Sequence, residues 1–146
     1  MFLKITRFIE SLNNDKESHD ELTLELACTV LLCEVMRADG QLQQNERDLL
    51  AHIVSEEFSV TEEEVVEIIE KGILLSDQAV DFYQFTSLIN SHYSIEERMN
   101  MVRLLWKIAY ADGELAAIEE HIIRKIADLL YLRQSEYIQT KPIKPK

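Results

Sequence analysis

Ala38-Asp39-Gly40-Gln41-Leu42, followed by Glu46, returns as Ala111-Asp112-Gly113-Glu114-Leu115, followed by Glu119, at a constant offset of 73 residues. Each copy follows a strongly apolar stretch and precedes an amphipathic one. That arrangement reads as helix, tight turn, helix, written twice. Under the same offset Val35 falls on Ile108, Leu49 and Leu50 on Ile122 and Ile123, Ile53 on Ile126, and Phe58 on Tyr131. The columns agree in physical character, so the expectation is two related helical halves that bury against each other.

The rest of the chain supports an all-α reading. Of 146 residues, 47% are hydrophobic, while Gly numbers three and Pro two, which disfavours a loop-rich β fold and extended disorder. Leu22, Leu26, Val30, Cys33 and Met36 mark one helical stripe, widened by Leu24, Ala27, Cys28, Leu31, Leu32 and Val35 almost around the cylinder. A helix apolar on so many sides belongs at the centre of a small bundle. Gly40 is expected to end it.

Further helices are expected over 44–57, from Thr61 to Gly72, over 77–91, from Ser94 towards Gly113, and over 119–131. Thr61 with Glu64, and Ser94 with Glu97, have capping-box spacing. The expected architecture is one helical bundle of about seven to eight helices over residues 1–138. It comprises an amphipathic first helix at 2–12 (Phe2, Ile5, Phe8, Ile9, Leu12), related halves at 22–72 and 95–138, and a flexible basic tail at 139–146.

Charge bounds the function. The formal net charge is -12, distributed as -15 over residues 1–97 and +3 over residues 98–146. Nucleic-acid phosphates and anionic lipids are therefore poor partners for the bulk of the surface. Glu62, Glu63, Glu64, Glu67 and Glu70 give one helix an acidic side, and Glu63 and Glu67 are the candidate docking residues for a basic or membrane-associated protein. No run reaches the roughly 18 apolar residues of a membrane span. Cys28 and Cys33 lie in the apolar stretch without CxxC spacing, which reads as reduced core thiols in a cytoplasmic protein.

Asp-Gly-x-Leu-x-x-x-Glu matches the second half of a calcium-binding EF-hand loop, but Val35, Arg37, Ile108 and Tyr110 occupy the places of the earlier carboxylates. A true EF-hand is thereby excluded. Asp39, Glu46, Asp112 and Glu119 have two readings. They hold the turn and the start of the next helix by accepting backbone N–H groups, or they converge on a hard divalent cation, with Glu114 or Glu120 as auxiliary donors. The turn role takes precedence. A divalent cation is the one cofactor these residues suggest, and no catalytic residues are assigned, because the sequence supplies no substrate pocket, phosphate loop or oxyanion arrangement.

The repeated Ala-Asp-Gly with its downstream glutamate resembles the TerB-like family, named for tellurite-resistance proteins, over roughly Leu22 to Tyr131. The resemblance implies a helical bundle with duplicated halves, an association with bacterial stress response and protein complexes, and metal ligation by the acidic positions, here Asp39, Glu46, Asp112 and Glu119. The function expected is thus a non-catalytic interaction or accessory module. Its alternative is a divalent-metal sensor using the repeated carboxylates.

Overall fold

A computed structural model describes residues 22–38, 40, 42–111 and 117–142. The expected helix at 2–12, Asp39, Asp112, Gly113, Glu114 and the last residues of the basic tail, 143–146, lie outside the described residues. Seven helices occupy the rest: α1 (Leu24–Met36), α2 (Gln44–Phe58), α3 (Glu62–Gln78), α4 (Tyr83–His92), α5 (Ile95–Ala109), α6 (Ala117–Leu129) and α7 (Gln134–Thr140). The fold is all-α.

α1 is the central helix that its composition demands. Thr23 stands in extended conformation and accepts a hydrogen bond from Leu26 N at 3.2 Å, which starts the helix. Every α1 side chain except Leu24 and Glu34 is buried, and α2, α3, α4, α5 and α6 all pack against it. The common core gathers Val30, Leu31 and Leu32 of α1 with Leu50, Ile53, Phe85, Ile89, Leu105, Ile123 and Ile126 from the surrounding helices.

Both capping boxes form. Thr61 N donates to Glu64 Oε1 at 2.7 Å while Glu64 N donates to Thr61 Oγ1 at 3.2 Å, and Ser94 with Glu97 repeats the exchange. Two helix starts are thus held by the residues whose spacing announced them.

Gly72 departs from expectation. It lies inside α3, which runs on to Gln78, and its missing Cβ lets the helix approach α1 where Thr29 projects. The signal of a helix-ending glycine is the same as that of a close-approach glycine until the neighbour is known. Asp77 consequently belongs to α3, where it pairs with Arg37, the residue that caps α1. Arg37 also donates to Ser76 Oγ at 3.2 Å, and Ser76 donates to Glu34, so four polar side chains join the ends of α1 and α3. α4 begins later than expected, at Tyr83, and Val80 is in a turn rather than a helix.

α7 packs on α5. Trp106 Nε1 donates to Thr140 Oγ1 at 3.1 Å, and the indole stacks obliquely on Tyr137, with ring centroids 6.0 Å apart.

Candidate functional site

Gln43 stands in extended conformation and α2 starts at Gln44. Gly40 supplies the turn: its φ of +152° is strained for a side-chain-bearing residue, and its N–H donates to Arg37 O at 3.1 Å. Three residues into the new helix, Glu46 folds back so that Oε1 accepts from Gln43 N at 2.7 Å. That bond satisfies a backbone donor the helix start would otherwise leave unmatched. Glu119 occupies the first turn of α6 and is buried.

Glu46 and Glu119 line one cavity of ≈ 240 Å³, together with Met36, Leu49, Ile108 and Ala111. The cavity therefore gathers the ends of α1 and α5 with the beginnings of α2 and α6. Sequence spacing singled out the two glutamates but missed the aliphatic wall, whose residues look like any other core positions until the helices are assembled. Asp39 and Asp112 lie outside the described residues.

The chemistry of this donor set is hard oxygen. A calcium shell takes about six to eight oxygens, and two carboxylates provide only part of one, the more so because Glu46 Oε1 already accepts a backbone N–H. The two glutamates fit a divalent cation as partial ligands. Among the described residues, no three His, Cys, Asp or Glu side chains are grouped to hold a metal ion. Glu120, an expected auxiliary donor, is instead 3.5 Å from Lys141 Nζ. His52 pairs with Glu56 on the surface of α2, 3.3 Å apart.

The thiols offer no alternative. Cys28 and Cys33 are buried thiols, and burial, followed by the neighbouring Glu34 charge, pushes the Cys33 pKa up to about 12. A thiol held protonated in this way is a weak nucleophile and a weak metal ligand. The Tyr93 hydroxyl is likewise raised, first by burial and then by Cys28, whose sulfur lies 3.9 Å away.

α3 carries the second candidate region. Glu62, Glu63, Glu67 and Glu70 are exposed, whereas Glu64 turns inward to its capping role and leaves the acidic side. Val66 and Leu74 on the same helix are 56% and 47% exposed. A further concavity of ≈ 200 Å³ opens beside Phe58, Tyr93, Met101 and Leu104, rimmed by Glu57 and Glu97.

The family model described as tellurite resistance protein TerB matches residues 25–142, from the first turn of α1 to beyond α7. The chain belongs to the TerB family. No curated protein and no solved structure matches it. All seven described helices fall within or at the edge of the TerB match, so the cavity and the acidic α3 face both lie inside the matched region of this chain. No helix among the described residues is long and apolar enough to cross a membrane.

Proposed function

We propose that this TerB-family chain is a non-catalytic interaction or accessory module, acting in the cytoplasm in the stress response with which the family is associated, and that α3 docks a basic protein partner. The observation that carries this reading is the α3 surface: Glu63, Glu67 and Glu70 are exposed and make no ion pair with another described residue. Unneutralised charge of one sign steers partners of the opposite sign and repels anionic polymers and membranes. Reversing it with Glu63→Lys and Glu67→Lys is expected to remove the specifically associated protein from affinity-purified material. Unchanged recovery would sink the assignment of this face.

A second reading is favoured by one specific observation, the cavity shared by Glu46 and Glu119. These residues are separated by the same 73 positions as the two Ala-Asp-Gly motifs, which supports two related halves meeting at a pseudo-symmetric site. In this reading Asp39 and Asp112 complete a hard-cation site there, and the module becomes a divalent-metal sensor. Calorimetric titration of metal-stripped protein with calcium, magnesium and manganese tests it. Saturable binding lost in Asp39→Asn/Asp112→Asn supports the sensor, and identical isotherms in both proteins reject it.

A further inference from the structure

Among the described residues, eight large hydrophobic side chains are exposed, and four of them, Val66, Leu74, Val80 and Tyr83, fall between residues 66 and 83. Scattered exposed aliphatics are ordinary, but these four fall along one helix and the turn that follows it. At 3.6 residues per turn, Val66, Glu70, Glu63, Leu74 and Glu67 all lie within a sector of roughly 100° of α3. Two aliphatic side chains, with Glu70 between them, therefore share a single solvent face with Glu63 and Glu67. The face runs into Gln78, which lines a shallow concavity of ≈ 440 Å³ with Val80, Asp81 and Tyr83. Val80 is 99% exposed there and Tyr83 61%.

We propose that this surface takes a basic amphipathic helix from a partner protein, whose apolar side chains cover Val66 and Leu74 while Lys or Arg between and beside them meets Glu70, Glu63 and Glu67. The inference rests on the docking role assigned to α3 above and adds the partner's periodicity. Charge complementarity selects the occupant. A second copy of this chain would bring an equally acidic face against the first, and the net charge of -12 makes that approach repulsive. From Glu63 to Gln78 the helix rises ~22 Å, so a partner helix of about 15 residues spans the face and delivers an apolar terminal residue to the Val80–Tyr83 concavity.

The test uses the full chain and two labelled synthetic peptides of 16 residues, identical in Leu and Lys content. One places leucines at i, i+4, i+7 and i+11, and the other spreads them around the helix. Binding is followed by fluorescence anisotropy, and amide exchange locates the site. The amphipathic peptide is expected to bind at least tenfold more tightly than its isomer and to protect α3 and residues 79–83. Val66→Ser/Leu74→Ser should erase that tenfold difference, while Glu63→Gln/Glu67→Gln weakens both peptides. Circular dichroism confirms that both variants retain the helical fold.

Equal affinity for the two peptides, an unaltered preference in Val66→Ser/Leu74→Ser, or protection outside α3 and its following turn overturns the inference. If the peptides bind equally but both depend on Glu63 and Glu67, the acidic docking face stands and the amphipathic partner falls. If Glu63→Gln/Glu67→Gln changes neither peptide's affinity, both fall together.

Discussion

A Cβ placed on Gly72 would stand 2.9 Å from Thr29 Cγ2, so α1 and α3 pack at a separation that only glycine allows. Thr29 has little room to turn aside, because its Oγ1 donates to Glu25 O at 2.8 Å and the residue is fully buried. Gly72→Ala gains helix propensity but forces this crossing open, and the net expectation is a loss of ~1–2 kcal/mol in urea unfolding. Adding Thr29→Ser removes the clashing methyl and keeps the hydroxyl. The double variant should therefore recover most of the loss, and additive losses would disprove the contact as its cause.

Trp106 is the only tryptophan, and its indole N–H is buried against Thr140 Oγ1. The same hydroxyl donates to Tyr137 O at 2.6 Å, which joins the end of α7 to α5. Thr140→Val keeps the shape and withdraws the acceptor. Leaving the indole donor unmatched is expected to cost ~1–3 kcal/mol. Thermal unfolding followed by Trp106 emission measures it directly, and a melting temperature unchanged from wild type would show that α7 does not depend on this bond.

Stability should decline at alkaline pH. Cys33 has a pKa of about 12 in the fold against a reference value of 9.0, and Tyr93 is raised in the same direction. Between those limits the unfolded chain loses the Cys33 proton while the folded chain keeps it. Unfolding is thus favoured progressively as pH rises above about 9, and this contribution to stability is full below that pH. Denaturant midpoints at pH 8 and pH 10.5, under reducing conditions, should differ less in Cys33→Ala than in wild type. An equal difference in both proteins would assign the alkaline loss to other groups.

The elements best announced by the sequence were those with their own local chemistry. Thr61 with Glu64, and Ser94 with Glu97, encode helix starts within four residues, and α1 encodes its central place by being apolar on nearly every side. Gly72 and Val80 were less legible for a physical reason. Whether a glycine ends a helix or admits a neighbour depends on Thr29, 43 positions earlier in the chain, and Val80 was assigned to a helix that begins only at Tyr83. The candidate site divides in the same way. Spacing picked out Glu46 and Glu119, but the cavity they share exists only once α1, α2, α5 and α6 are assembled.

Glu46 allows capping to be separated from cation binding. Its Oε1 accepts from Gln43 N, and a glutamine in its place retains an oxygen that can do the same, whereas alanine cannot. Glu46→Ala is therefore expected to lose ~0.5–1 kcal/mol of stability with or without metal, and Glu46→Gln to stay near wild type in metal-free buffer. The two readings of the shared cavity diverge when a divalent cation is added. If Glu46 and Glu119 hold the ion, calcium or manganese raises the melting temperature of wild type, and that rise disappears in both Glu46→Gln and Glu119→Gln, since a ligand stabilises only the fold that binds it. A rise that survives both substitutions would place the cation elsewhere and leave Glu46 with the helix start as its whole role.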